Sequence, residues 1–415
     1  MQSRRIVIAM VEPPLPFGNA AARWFYVLVK GLVERGHYVT AFATCSKTSD
    51  IEEAKRVFPS PAYDLRCYAH PVRAGLAAKW ETLRRPYSYM FSPELRRDLQ
   101  AELSKDFDIL HLEQLWSGWL GLGHTQRALV SVLNLHGIDM ASGGPIRARV
   151  ARRLALQGER VLLRRFSRIR TLTPFLTECV HKISPSATIH TVPLGMDTSL
   201  YEFVPPARRP HPPVVSLIGS FDWRPTWAAG MRLVTRLWPA IQEACPDARL
   251  QLAGRKALSL RRDLLEHQLN GVTIIENVPE ILPYFRNTDV LLYPAQWASG
   301  MKVKVLEAFA WGTPVVTTST GVEGLPARDG VHAGIAEDDL GLIERTISLL
   351  RNSATREHQC AAARELVENY CSPGCTLDAL EAVYAEMLFT NPRVSRLGAV
   401  PSRTVAANKT EEQGA

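Results

Sequence analysis

The chain has 415 residues and a formal net charge of +8, from 49 Lys and Arg against 41 Asp and Glu. Hydrophobic residues make up 46% and charged residues 22%, a composition typical of globular proteins that disfavours a disordered or fibrous chain. This length allows two domains with sizeable cores, and no apolar run of about 20 residues predicts a transmembrane helix. The seven cysteines are odd in number and scattered, which favours a reducing, cytoplasmic location over a disulfide framework or a zinc site.

The N-terminal part alternates strand and helix patterns. Residues 6–11 predict a buried strand, residues 20–35 a helix and residues 38–43 a second strand. This order is the opening of a doubly wound α/β sheet. The loop after the first strand has no G-x-G-x-x-G pattern, which disfavours a dehydrogenase. Its last residue, Asn19, is either a ligand-facing residue or a simple helix N-cap.

Residues 50–100 show no regular pattern, and two strands are predicted after them at 108–112 and 129–135. Glu113 directly follows the first of these strands, and His136 and Asp139 follow the second. Because the carboxyl ends of parallel strands line the ligand crevice of open α/β sheets, these three residues are candidate ligand groups.

A basic segment follows, beginning at Arg147 and ending at Arg170. It contains nine arginines and one glutamate, Glu159, so its net charge of +8 equals that of the whole chain. As a basic amphipathic helix it is suited to an anionic membrane or an anionic ligand, and a solvated helix face is the alternative. No nucleic-acid-binding motif accompanies the charge, so nucleic acid is not predicted as a partner.

The domain boundaries follow from composition. We assign residues 1–203 to a first Rossmann-like domain, residues 204–213 (VPPARRPHPP) to a proline-rich linker and residues 214–370 to a second domain. A closing helix is predicted at 371–390. Residues 391–415 lack periodicity and are predicted to be disordered.

Predicted strand ends in the second domain also carry polar residues or glycines. The strand at 214–218 is followed by Gly219, the strand at 248–253 by Gly254, Arg255 and Lys256, and the strand at 272–275 by Glu276. Arg224 lies a few residues after Gly219. These positions predict a ligand crevice at this edge of the second sheet.

The most informative stretch covers residues 287–326, and it predicts a strand at 289–293, a turn at Ser299 and Gly300, a helix at 301–310 and a strand at 315–318. Such a turn directs free backbone N–H groups and the positive end of a helix at one place. Lys302 and Lys304 in the first turn oppose the helix dipole unless an anion is bound. With Glu307 one turn later, the pattern suits a nucleotide sugar.

The segment SGMKVKVLEAFAWGTPVV with the following GVEGL resembles the donor-site signature of the retaining family 4 glycosyltransferases. That resemblance implies the GT-B fold, in which two Rossmann-like domains face each other and a C-terminal helix crosses back to the first domain. Glu307 is at the position of the family's ribose-binding glutamate. Ser299 replaces the glutamate that the family usually carries eight residues earlier, as in a branch with G-x-x-x-K-x-L-E-A spacing.

The resemblance also implies roles for the other candidate residues. Lys302, Lys304 and Arg224 would bind the donor diphosphate near Gly219, with Arg255 and Lys256 as further cations. Gly300 and Met301 would offer backbone amides, Glu276 would lie near the base, and Gly18 and Asn19 would approach the donor. His136 would position the sugar, and Glu307 would bind the ribose. On the acceptor side, Arg23 would reach an anion, and Glu113 or Asp139 would bind a hydroxyl.

The resulting prediction is a metal-independent, retaining glycosyltransferase of surface glycan or natural-product synthesis, with a nucleotide sugar as co-substrate and no separate cofactor. Its acceptor would be a glycan, a lipid-linked group or a small molecule, and the protein would be cytoplasmic or peripheral at the inner membrane face. Two alternatives stay open: a nucleotide-sugar epimerase on the same fold, and a non-catalytic relative that binds nucleotide sugars. Ser299, and Ser220 where the family carries an arginine, favour the second alternative.

Overall fold

The computed structural model describes residues 2–72, 75–140, 143, 145–206, 212–276, 278 and 280–389. Within these residues the chain forms two parallel β-sheets with helices on their faces. The predicted tail at 391–415 and residues 207–211, half of the predicted linker at 204–213, lie outside them.

The first sheet has seven parallel strands in the order β3-β2-β1-β4-β5-β6-β7. Its central strands are buried on both faces, which explains their nearly continuous apolar sequences. The strands are β1 (Arg5–Met10), β2 (Tyr38–Cys45), β3 (Asp64–Ala69), β4 (Ile109–Glu113), β5 (Ala128–Val132), β6 (Arg168–Thr171) and β7 (Thr188–Thr191). The helices of this part are α1 (Ala20–Glu34), α2 (Thr48–Val57), α3 (Gly75–Arg84), α4 (Pro93–Leu103), α5 (His136–Asp139), α6 (Ile146–Leu163) and α7 (Pro174–Ile183).

The prediction that residues 50–100 are irregular is wrong, because α2, β3, α3 and α4 lie there. The strand β3 is at the sheet edge and only partly buried, so its sequence lacks a strong apolar run. The helices α2 and α4 are rich in charged residues, and α3 has its large apolar side chains exposed.

The second sheet has six parallel strands in the order β10-β9-β8-β11-β12-β13. Its strands are β8 (Val214–Ile218), β9 (Arg249–Ala253), β10 (Val272–Ile275), β11 (Val290–Tyr293), β12 (Val315–Thr317) and β13 (Gly334–Ile335). The helices are α8 (Arg224–Arg232), α9 (Trp238–Ala244), α10 (Leu282–Arg286), α11 (Val303–Trp311), α12 (Asp339–Arg351), α13 (Ser353–Tyr370) and α14 (Pro373–Phe389). A π-helical segment, Leu233–Leu237, joins α8 to α9.

The C-terminal helix α14 returns to the first domain, as predicted. Glu381 on α14 forms an ion pair with Arg35, and one of its carboxylate oxygens lies 2.6 Å from His37 Nε2. Deeper in the core, the Tyr384 hydroxyl lies 2.5 Å from His111 Nδ1 on β4. Together, these buried contacts attach the end of the chain to the first sheet.

The prediction of one basic amphipathic helix from Arg147 to Arg170 is wrong. Helix α6 ends at Leu163, and the last part of the segment is β6. Arg170 is fully buried on β6 and pairs with Glu113 at 3.1 Å. The segment's charge is therefore divided between an exposed helix face and the core.

Candidate active site between the two sheets

The two domains meet at the turn formed by Ser299 and Gly300. The Ser299 N–H and hydroxyl both donate to Asp139 Oδ1, at 2.8 and 2.9 Å, and Leu135 N–H donates to the Ser299 hydroxyl at 2.8 Å. Gly300 has a φ of +73°, and a Cβ atom there would lie 2.1 Å from the Leu133 carbonyl oxygen. Only glycine fits this contact, and the absence of a side chain at Gly300 lets the turn pack directly against the first domain.

These bonds correct two acceptor-side predictions. Asp139 is 2% exposed and is already bonded to Ser299 and to the Asn134 side chain. Glu113 has no exposed surface, because Arg170, Ser131 and His111 surround its carboxylate in the core. Asp139 therefore joins the domains and Glu113 belongs to a buried polar network, so neither carboxylate is presented to an acceptor.

Lys302 lies inside the turn and does not face the crevice. The helix α11 begins two residues later than predicted, and Lys302 is its N-cap. The Lys302 ammonium donates to the Gly300 carbonyl and pairs with Glu323 at 3.2 Å, and its side chain is 1% exposed. Burial lowers the pKa of Lys302, although the Glu323 carboxylate opposes this effect. Its charge is thus compensated locally, contrary to the prediction that it binds a diphosphate.

Lys304 has a different environment. Its ammonium donates to the Thr226 hydroxyl at 2.7 Å and lies over the Tyr293 ring, 4.1 Å from the centroid. Burial, with a smaller effect from the charge of Lys302, lowers the pKa of Lys304 to about 7. No carboxylate pairs with Lys304 among the residues that the structure describes. Such a site favours the binding of an anion, which would restore the ammonium charge.

Gly219 is the residue next to Lys304 at the end of β8. It has a φ of +154°, and a Cβ atom there would lie 2.8 Å from Lys304 Cε. The absence of a side chain at Gly219 therefore leaves room for Lys304 at the carboxyl end of the second sheet, the edge that lines the ligand crevice in open α/β folds.

The other predicted cations of the second domain are at the surface. Arg224 begins α8 and lies over the Trp227 ring at 3.9 Å. Arg255 is 70% exposed and pairs with Asp222 at 3.0 Å. Lys256 is exposed with a φ of +61°, and Glu276 accepts from the Leu258 N–H at 3.3 Å. The roles of these four residues in donor binding stay predictions.

Glu307 and Arg23 form an ion pair across the two domains. Glu307 is 5% exposed on α11, and Arg23 on α1 also donates to the Tyr201 hydroxyl at 3.2 Å. The sequence assigned these residues to opposite substrates, but the structure brings them together. A ribose that binds Glu307 would therefore have to replace or share the guanidinium of Arg23.

The first loop presents Gly18 and Asn19 at the surface. Gly18 has a φ of +90°, and the Asn19 side chain accepts from the Ala22 N–H at 2.9 Å. The N-cap interpretation of Asn19 is confirmed, since its side-chain oxygen is used by the helix.

His136 is held in one tautomer by aromatic residues that the sequence analysis missed. The Trp116 indole N–H donates to His136 Nδ1 at 2.9 Å, so the ring carries its hydrogen on Nε2. The Tyr87 ring stacks on the imidazole at 4.7 Å with an interplanar angle of 18°. Burial lowers the pKa of His136. The imidazole is thus a neutral Nε2–H donor, which suits a sugar hydroxyl or a phosphate oxygen.

The backbone at His136 is supported from α6. The Glu159 carboxylate accepts from the Gly137 N–H at 3.2 Å, and Arg152 donates to the Gly137 carbonyl at 3.0 Å. Burial raises the pKa of Glu159 to about 7, and hydrogen bonds to the backbone reduce that rise. In the sequence, Glu159 is distinguished only as the single acid of the basic segment. This feature does not indicate that its carboxylate binds the backbone N–H of Gly137.

Two family models match the two halves of the chain. Residues 21–200 match the family described as Glycosyltransferase Family 4, and residues 212–352 match the family described as Glycosyl transferases group 1. The chain belongs to these glycosyltransferases. The first match contains Arg23, Trp116 and His136, and the second contains Lys304 and Glu307, so each half of this family member contributes to the site.

Individual relatives are more distant. The phosphatidyl-myo-inositol mannosyltransferase of Mycobacterium leprae is 29% identical over 145 residues, which is 34% of this chain and 39% of that protein. The sucrose-phosphate synthase structure from Thermosynechococcus elongatus has a TM-score of 0.70 at 18% identity and covers 93% of this chain and 100% of that one. The structure of Anabaena HepE in complex with UDP and glucose has a TM-score of 0.65 at 11% identity and covers 92% of this chain and 100% of that one. These structures support the GT-B fold of this family 4 chain.

Proposed function

We propose that the protein transfers a sugar from a nucleotide sugar to an acceptor hydroxyl, with retention of anomeric configuration and without a metal ion. The observation that carries the proposal is the partly desolvated Lys304 beside Gly219, at the strand end that faces the first domain. A half-buried cation that pairs with no carboxylate among the described residues is costly for the free protein, and a bound diphosphate would offset that cost.

The transfer would use residues of both domains. The bond between the sugar C1 and the diphosphate oxygen breaks, and Lys304, Arg224 and the first N–H groups of α11 stabilise the charge that develops on the leaving group. The acceptor oxygen bonds to C1 from the same face, and its proton passes to the departing phosphate oxygen. His136 holds a sugar hydroxyl through Nε2–H, and Glu307 binds the ribose after Arg23 is displaced.

A thermal-shift screen tests donor binding. Because a ligand that binds only the native state raises Tm by mass action, one nucleoside diphosphate and its sugar should stand out from a panel of UDP, GDP, ADP, dTDP and CDP. UDP and UDP-glucose come first in the panel, since the HepE structure holds UDP and glucose. The shift should survive EDTA and be lost in Lys304→Met, whereas the exposed-lysine control Lys182→Met should keep it.

Product analysis then tests the reaction. Transfer with the anomeric configuration of the donor, shown by NMR of the glycoside, supports retention, and an inverted product refutes it. Binding without any transfer or donor hydrolysis would favour the non-catalytic alternative. Interconversion of free nucleotide sugars would indicate an epimerase.

The proposal includes a lipid-linked or glycan acceptor and a peripheral position at the inner face of a cytoplasmic membrane. Its support is the exposed surface of α6, where Arg147, Arg149 and Arg153 accompany exposed Ile146 and Val150. No helix among the described residues is both long and apolar enough to cross a bilayer.

A further inference from the structure

The helix α3 has its apolar residues on the outside. Leu76, Trp80 and Leu83 are 84%, 64% and 49% exposed. Their spacing of four and three residues places them on one stripe of the helix. We call these three residues the α3 stripe.

The opposite face of α3 is polar and packs against the domain. Glu81 on this face pairs with Arg96 of α4 at 3.0 Å, and Ala78 and Thr82 on the same face are half-buried. An amphipathic helix that packs on its own domain has the reverse arrangement, with the apolar face inward. The α3 stripe is therefore an apolar surface without a partner among the described residues, which is the usual mark of an interaction site.

Charge indicates which partner would cover the α3 stripe. At 100° per residue, Lys79 and Arg84 lie on the two sides of the stripe, and Arg85 follows the end of the helix. The only acid of α3 is Glu81, on the packed face. A tryptophan and two leucines between cations fit an anionic lipid surface, where the rings enter the headgroup region and the cations reach the phosphates.

The α3 stripe is close in sequence to the candidate active site. Leu83 is four residues before Tyr87, and Tyr87 stacks on His136. Pro86, between them, lies against α6, because a Cβ atom at Gly158 would be 3.1 Å from Pro86 Cγ. A surface on which α3 rests would thus lie near the site and next to the basic helix α6.

We infer that the α3 stripe docks this protein on an anionic lipid bilayer and thereby holds the candidate active site close to acceptors that reside in the membrane. The second half of this inference rests on the proposed transferase function, whereas the docking itself does not. The docking is monotopic, since α3 lies along the surface and its polar face remains on the protein.

Vesicle co-sedimentation of the full chain tests the docking. The probes are vesicles of phosphatidylcholine alone and of phosphatidylcholine with phosphatidylglycerol. We expect the wild type to bind the anionic vesicles and the triple variant Leu76→Ser, Trp80→Ser and Leu83→Ser to bind at least about tenfold less, because apolar insertion contributes most of the affinity of such helices. The matched control is Leu265→Ser with Leu340→Ser, since these second-domain leucines are 61% and 72% exposed.

A charge variant tests the second contribution. Lys79→Gln, Arg84→Gln and Arg85→Gln should lose most of the preference for anionic vesicles and most of the salt dependence, because these cations would contact lipid phosphates. The far-ultraviolet circular dichroism and Tm of each variant are compared with the wild type. Substitutions at these exposed positions should change both very little.

Several outcomes would overturn the inference. These are no vesicle binding by the wild type, equal binding by the triple variant, and wild-type dimerisation that the triple variant abolishes, since the last would make the α3 stripe an interface between two copies. The nucleotide thermal shift keeps the two proposals apart, because the triple variant should retain it. Vesicle binding by a protein that binds no nucleotide would leave the docking intact and refute the transferase.

Discussion

Lys304 allows a quantitative test of the candidate donor site. Its pKa is lowered to about 7 in the free protein, mainly by burial. A bound diphosphate would stabilise the ammonium form and return the pKa toward its usual range near 10. Binding therefore takes up a proton whenever Lys304 is neutral beforehand, and the affinity falls as pH rises above 7.

The size of the effect follows from the fraction of Lys304 that is already charged. With a free pKa of about 7, the neutral form weakens binding about 2-fold at pH 7 and about 100-fold at pH 9. We therefore expect an affinity loss of about 50-fold between these pH values, which corresponds to about 2.3 kcal/mol. Proton uptake should rise from about half a proton to nearly one across the same interval.

Isothermal titration calorimetry measures both quantities. The titrant is the intact nucleotide sugar that the thermal-shift screen identifies, because its phosphates have no group that titrates in this range. Each pH is measured in two buffers of different ionisation enthalpy, so that proton uptake is obtained directly. Lys304→Arg should bind with a flat pH profile, since arginine stays charged, and Lys182→Arg should keep the wild-type slope.

The reasoning about Lys304 would be refuted by a wild-type affinity that changes less than about 3-fold between pH 7 and 9, which is too little for one proton on this lysine. It would also fail if Lys304→Arg retained the slope, because the proton would then belong to another group.

Three further predictions concern the first domain and the contact between domains. Burial raises the pKa of Glu159 to about 7, so the native state binds more protons than the unfolded state between pH 4.5 and 7 and loses stability as pH rises through this window. In urea unfolding, the free energy of unfolding of Glu159→Gln should exceed that of the wild type by about 2–3 kcal/mol at pH 8 and be close to it at pH 5. The same difference at both pH values would contradict this assignment of the proton to Glu159. Trp116→Phe removes the hydrogen-bond donor to His136 Nδ1, so NMR should show a higher pKa for His136. Kinetics should show a kcat that is about tenfold lower, with a smaller change in KM. An unchanged pKa would mean that Trp116 has a packing role only. Arg23→Gln leaves Glu307 buried without its cation and should lower the free energy of unfolding by about 2–4 kcal/mol. Adding Glu307→Gln should recover most of this loss. A double variant as unstable as the single one would show that the ion pair is not the cause.

The local sequence was sufficient for the two-sheet architecture. The runs at residues 214–218 and 289–293 lie on the observed strands β8 and β11, because a strand buried on both faces needs mostly apolar side chains. The order of strand, glycine turn and helix around Gly300 also placed Lys304 and Glu307 on one element. Where elements are partly exposed, as in β3 and α3, the apolar pattern is weaker, and these two elements could not be predicted from it.

Only the tertiary structure decided which side chains meet. Tyr87, Trp116, His136 and Glu159 come from four separate segments of the first domain, and no spacing in the sequence connects them. Burial likewise gave neighbouring cations different environments. Lys302 is held inside the turn by Glu323, whereas Lys304, two residues later, donates to Thr226 and has no carboxylate partner among the described residues. The sequence determined the kinds of chemical group at the strand ends, whereas their partners, charge states and access depend on packing between segments far apart in the chain, because desolvation and pairing act through space.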